Sequence, residues 1–282
     1  MSESDYLWGS LPSGYLDTMN QQQSDVFTQL KAEILESEFR EDLEQKSDID
    51  RYILRFLRGT MKMKKKDRIF DLEEAKKALI STLTLRRKHK IPEILKSGEE
   101  PTGYSIYSEV NPTYGYKDTK AKMGVYIKRF GLLGTYAKMS RFTQDEWEQY
   151  LLYEMELREK EKMELMQETG VEAPGDFNII CEKGLGMGFL GNLKLVKMIA
   201  KVAADNSPES IYQVHIVNAP WIFAKLYNMV KGFVDADTRT KINIYNNVPT
   251  EFFRKHLDTS KLPKEYGGDA DVEVGTPLDA RK

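Results

Sequence analysis

An α/β fold is predicted for this 282-residue chain, on three observations. Helical periodicity dominates residues 24–100, without a strand signal in the first ninety residues. Short β-prone runs follow at Gly124–Gly131, Phe177–Cys181, Tyr212–Val217 and Ile242–Tyr245. Helical pattern separates each run from the next, and strand–helix–strand alternation implies a parallel or mixed sheet.

The elements are justified in chain order. Residues 1–23 carry Ser, Gly, Asn and Gln without a period and are expected to form a flexible arm. Ile49, Tyr52, Ile53, Phe56 and Leu57 fall at i, i+3, i+4, i+7 and i+8, the broad stripe of a core-facing helix. Asp71 followed three residues later by Glu74 reads as a helix start, with Leu72, Ala75, Leu79 and Leu83 on one face. Residues 143–168 read as a long charged helix with Trp147, Leu151, Met155 and Arg158 along one stripe. Its Glu154, Glu156, Glu159, Glu161 and Glu164 alternate with Arg and Lys, the pattern of a solvated face. Domain boundaries are expected at a helical subdomain over 24–100, a lobe over 101–270 and a tail over 271–282.

Composition excludes several classes. Forty-two basic against 44 acidic residues give a net charge of −2, so nothing draws the whole chain to nucleic acid. No apolar run approaches the ~18 residues of a membrane span. The single cysteine, Cys181, excludes an intrachain disulfide and sits in an apolar run, as a buried small hydrophobe would. His89, His215 and His256 stand far apart without a second ligand at metal-site spacing, so no metal site is expected. The one strong charge asymmetry is local. Lys62, Lys64, Lys65, Lys66 and Arg68 read either as a solvated loop between helices or as a membrane-contact cluster.

Gly186-Met187-Gly188-Phe189-Leu190-Gly191 matches the dinucleotide fingerprint and lies between a strand and a helix. The next strand ends Ile216-Val217-Asn218-Ala219-Pro220, without the carboxylate that would bind a ribose, and the upstream sequence is helical. A flexible strand-to-helix turn is therefore the expectation. No nucleophile elbow, P-loop or zinc-protease signature occurs, and the chain is read as a non-enzyme.

Six elements in order resemble the CRAL-TRIO lipid-binding family, and within it the secretory-pathway phosphatidylinositol-transfer proteins. They are Leu54-Arg55-Phe56-Leu57-Arg58 with Phe70-Asp71-Leu72-Glu73-Glu74-Ala75, Val125-Tyr126-Ile127, Ser207-Pro208-Glu209, Asn218-Ala219-Pro220, Thr238-x-x-Lys241-Ile242, and Leu262-Pro263-x-Glu265-Tyr266-Gly267-Gly268. The resemblance implies a helical N-terminal subdomain followed by a lobe with a mostly parallel sheet floor, flanking helices and a gate helix over an apolar cavity. That gate corresponds to Ile222, Phe223, Leu226, Met229, Val230, Phe233 and Val234, an apolar stripe whose bland reading is an ordinary core helix. It further implies that Glu209, Thr238 and Lys241 contact a phosphatidylinositol headgroup.

The implied protein is a monomeric carrier of a single phospholipid, cytoplasmic and peripherally membrane-associated, with no cofactor beyond the bound lipid. A sterol, tocopherol or retinoid carrier and a lipid-sensing regulatory module are the alternatives. Each enclosed methylene favours an apolar site by roughly 0.8 kcal/mol, so the cavity decides that a lipid binds and the polar set decides which. The chain departs from the pattern at Ser210, at Gly59-Thr60-Met61 and at Lys231-Gly232-Phe233, where glycine replaces a proline and loosens the end of the gate.

Overall fold

The computed structural model describes residues 7–64, 67–131, 141–186, 193–233 and 236–274. The chain divides into two compact units, Met1–Glu100 with Ala203–Ser210, and Pro101–Val202 with Ile211–Lys282.

The first unit is built from α1 (Gln21–Leu35), α2 (Arg40–Glu44), α3 (Ile49–Gly59), α4 (Leu72–Lys88) and α5 (Ile91–Ser97). Asn20 caps α1 in a reciprocal capping box with Gln23, and the Asp71 carboxylate accepts from the Glu74 amide at the start of α4. Both caps satisfy amides that the first helical turn leaves unpaired. The stripe read from the sequence becomes the core: Ile53, Phe56 and Leu57 of α3 are buried with Ala75, Leu79 and Leu83 of α4 and Leu30 and Ile34 of α1.

Two expectations fail here. Within the stretch expected to be a flexible arm, Tyr15 is buried, and the Arg58 guanidinium lies 3.9 Å from its ring centroid while donating to the Gly14 carbonyl at 3.3 Å. A cation–π contact and hydrogen bonds, among them the Ser13 hydroxyl donating to Gln23 Oε1 at 2.7 Å, thus hold a short polar segment, which composition does not reveal. The basic cluster is not a loop throughout, because Lys62–Lys64 (β1) pairs antiparallel with Asp67–Ile69 (β2). Charge masks this three-residue ladder, so the sequence carries no strand signal there.

The second unit holds a five-stranded sheet in the order β3 (Thr113–Asp118), β4 (Met123–Lys128), β5 (Asp176–Cys181), β6 (Ile211–Val217), β7 (Ile242–Ile244). β3 pairs antiparallel with β4, and the remaining pairs are parallel. α6 (Tyr104–Val110) precedes β3, the connections carry α7 (Gln144–Thr169), α8 (Leu193–Asn206), α9 (Phe223–Val230) and α10 (Ala236–Thr240), and α11 (Thr250–His256) follows β7. β3 was missed in the sequence because Tyr114, Gly115 and Tyr116 follow a proline and include a glycine, both depleted in strands.

On one face of the sheet His215 stacks on Phe177, with centroids 4.5 Å apart and planes at 15°, and packs against Phe252 and Phe253 of α11. Burial, followed by the neighbouring His256, depresses the His215 pKa to about 4, so the ring is neutral at physiological pH. The turn after β3 is tied to the residues following α11. The buried Asp118 carboxylate accepts from the amides of Lys120 (2.9 Å), Ala121 (2.8 Å) and Asp258 (2.8 Å). Cys181 is buried on this face, as its apolar surroundings implied.

Candidate functional site

The other face of the sheet carries the candidate site. Register places Ile180, Ile216 and Ile244 in one row and Val214 and Ile242 in the next, across β5, β6 and β7. Side chains in register share a face, so these rows form an apolar floor. Ile222 and Phe223, at the start of α9, are buried against it in one cluster with Leu185, Val196, Val214 and Ile216, and Ile180, Tyr227 and Ile242 pack on that cluster. Phe223 and Tyr227 stack at 6.0 Å, as i and i+4 on one helical face should.

α9 spans eight residues and passes into a 3₁₀ turn at Lys231–Phe233, which contains the Gly232 expected to loosen it. Just before the helix, Trp221 is 84% exposed, and Lys225 and Lys231 are exposed beyond it. Of the expected gate residues, Ile222 and Phe223 therefore face the floor. The side chains of Leu226, Met229, Val230 and Phe233, and all of Val234, lie outside the described residues.

Thr238 and Lys241 come together at the end of α10, where the Lys241 amide donates to the Thr238 carbonyl at 3.1 Å. The Lys241 carbonyl then accepts from the Val214 amide at 2.9 Å, which fixes the residue at the entry to β7. Its ammonium pairs with the exposed Asp237 carboxylate at 2.8 Å. Such an exposed pair contributes at most about 1 kcal/mol and can yield to a phosphate. Glu209 belongs to the first unit, within Ala203–Ser210, and adopts a left-handed backbone with φ +53°.

Of the basic cluster, Lys62 pairs with Asp71 and Arg68 is exposed. The Lys64 side chain, Lys65 and Lys66 lie outside the described residues, as do the fingerprint glycines Gly188 and Gly191.

One polar constellation escaped the sequence reading. Glu154, expected on a solvated face of α7, is only 4% exposed. Its carboxylate receives Lys128 Nζ at 2.9 Å, Arg158 Nη2 at 2.7 Å and the Tyr107 hydroxyl at 3.0 Å. Arg158 also donates to Asn178 Oδ1 at 3.3 Å and lies 4.0 Å from the Tyr126 ring centroid. Burial pushes the Glu154 carboxyl up, but Lys128 and Arg158 more than offset this and hold it at about 2. Burial lowers the Lys128 ammonium, partly offset by Glu154.

Lys128 is in register with Ile180, so the ion cluster shares the sheet face with the apolar floor. A signal for it was present: Glu154 and Arg158 continue the Trp147–Leu151 stripe at i+7 and i+11, and polar residues on a core stripe call for partners.

The family model of the CRAL/TRIO domain matches residues 113–268, which takes in all five strands of the sheet, the α9 segment and the C-terminal Leu262–Gly268 element. The chain belongs to the CRAL/TRIO domain family. Among curated proteins it is 22% identical to the Sec14 cytosolic factor of Schizosaccharomyces pombe over 95% of this chain and 89% of that one. It is 29% identical to the phosphatidylinositol/phosphatidylcholine transfer protein SFH9 of Arabidopsis thaliana, over 77% of this chain and 36% of SFH9. It is 28% identical to the CRAL-TRIO domain-containing protein T23G5.2 of Caenorhabditis elegans, over 78% of this chain and 30% of that one. The chain thus spans about a third of the last two. A crystal structure of Sfh5 superposes with a TM-score of 0.62 at 18% identity, covering 91% of this chain and 90% of that one, a likeness of fold. Among the described residues, no helix is long and apolar enough to cross a membrane.

Proposed function

We propose that this chain encloses a single phospholipid, phosphatidylinositol first, and exchanges it at membrane surfaces as a monomeric carrier. The observation that carries the reading is the floor of Ile180, Val214, Ile216 and Ile242 closed by Ile222 and Phe223 of a short helix. An eight-residue helix ending in a 3₁₀ turn buries little surface of its own, so it can leave the floor more readily than a long helix could. Acyl chains occupying that space replace the Ile222 and Phe223 contacts with equivalent apolar ones.

Thr238 and Lys241 supply a hydroxyl and an ammonium at the entry to β7, the edge strand of the sheet, and Glu209 a carboxylate for inositol hydroxyls. The names of the Arabidopsis relatives describe transfer of phosphatidylinositol and phosphatidylcholine, which supports a carrier over an enzyme.

The test is mass spectrometry of lipid extracted from the purified protein, paired with transfer of labelled phosphatidylinositol between vesicles. Lys241→Ala is expected to lower phosphatidylinositol transfer about tenfold or more, one charge-assisted hydrogen bond at about 1.5–3 kcal/mol, while transfer of a lipid without inositol is retained. Undiminished transfer would remove Lys241 from the headgroup set. Recovery of a sterol, tocopherol or retinoid in place of phospholipid would overturn the ligand class.

A further inference from the structure

We infer that Arg55 is a positioning residue for headgroup selection, because it holds the Ser207–Ser210 turn in the conformation that presents Glu209. The inference rests on the assignment of Glu209 to the headgroup set proposed above.

Arg55 is buried within α3. Its guanidinium donates in two directions, from Nε to the Pro208 carbonyl at 3.2 Å and from Nη2 to the Ser207 hydroxyl at 3.0 Å. The Pro208 carbonyl belongs to the peptide that leads into Glu209. The Nε bond therefore holds the plane whose rotation would release Glu209 from φ +53°. For a residue with a β-carbon this left-handed conformation is strained, and it persists only where surrounding contacts impose it.

Three further contacts hold the turn and the residues leading into it. Gly59 lies one helical turn beyond Arg55, and a β-carbon placed there would stand 2.6 Å from Pro208 Cβ, so the turn seats directly on the helix backbone. Within the turn, the Ser210 hydroxyl donates to the Ser207 carbonyl at 2.7 Å. Upstream, Thr82 of α4 donates to the Asp205 carbonyl at 3.2 Å. The segment that carries Glu209 is thereby built into the N-terminal helical unit, although β5 and β6 flank it in sequence. A lysine could replace one of the two donations and not both, since its single ammonium lacks the planar fork.

The experiment uses the full chain, loaded with labelled phosphatidylinositol or phosphatidylcholine from vesicles of defined composition. Arg55→Gln, Arg55→Lys, Gly59→Ala, Ser207→Ala and Glu209→Gln are compared, with near-ultraviolet circular dichroism to show that each is folded. Arg55→Gln and Gly59→Ala are expected to lower the phosphatidylinositol-to-phosphatidylcholine transfer ratio about as far as Glu209→Gln does, roughly tenfold, with phosphatidylcholine transfer within about twofold of the parent. Arg55→Lys should fall between, and the Arg55→Gln/Glu209→Gln double variant should be no worse than Glu209→Gln alone. Amide hydrogen exchange at residues 207–210 should quicken in Arg55→Gln before any lipid is added.

If Arg55→Gln unfolds, Gly59→Ala and Ser207→Ala carry the same comparison. The inference is overturned if the folded variants keep the ratio that Glu209→Gln loses, or if they lower both lipids equally. A Glu209→Gln protein with an unchanged ratio would instead remove the headgroup reading. The exchange measurement at 207–210 would then still report whether Arg55 holds the turn.

Discussion

On one face of the central sheet, His215 and Phe177 stack beneath Phe252 and Phe253, and the completely buried Leu257 and Leu262 follow in the same chain segment. On the other face, Ile180, Val214 and Ile216 meet Ile222 and Phe223 of α9, whose leading residue Trp221 stands in solvent. Both faces are apolar, and the same strands supply both by alternation. The covers differ in kind. The first is locked by the Asp258 amide donating to the Asp118 carboxylate and by Tyr114 donating to the Lys261 carbonyl at 3.0 Å. The second is a two-turn helix with a 3₁₀ end. An apolar surface is structural or functional according to how its cover is fastened, more than according to its composition.

The largest expected effect breaks the locked face. Phe253→Ala removes a completely buried ring and should cost about 3–5 kcal/mol in denaturant unfolding. Phe223→Ala, in the α9 cover, should cost clearly less stability and, on the proposed carrier reading, depress lipid retention more. Equal stability losses would erase the distinction between the two covers.

The next effect is one of pH. The folded state holds His215 neutral, with a pKa near 4, against about 6.5 in the unfolded chain. A depressed pKa means that the stabilisation is present above pH 6.5 and is lost as pH falls toward 4, by up to about 3 kcal/mol. Urea midpoints between pH 7.5 and 4.5 should show this slope, and His215→Phe should flatten it. The smallest effect concerns the exposed residue that leads into α9: Trp221→Ala should leave thermal stability within about 0.5 kcal/mol of the parent. A larger loss would mean that Trp221 packs in solution.

The sequence made much of the fold legible because burial leaves a period. The stripes of α3 and α4 and the runs at β4, β5 and β6 are all continuous enough to read. What escaped were features fixed by tertiary partners. Glu154 looks like its exposed neighbours until Lys128 and Arg158 are brought beside it. Tyr15 looks like part of a tail until Arg58 reaches its ring. Glu209 could be singled out by resemblance, but its left-handed backbone and its hold on α3 depend on contacts more than 150 positions away in the chain, such as Arg55 to Pro208.

The Asp118 clamp has a consequence for how the protein is made. Its carboxylate is buried, and one of its three amide donors lies 140 positions downstream. During synthesis from the N-terminus, β3 and β4 emerge long before Asp258 exists. Until residues 250–262 leave the ribosome, Asp118 lacks that donor and Phe177 and His215 lack their cover. The lobe must therefore close after most of it has been translated, with the slow loop closure that such distant contacts entail. A nascent chain stalled before Asp258 would present the aromatic face of its sheet to the first chaperone it meets.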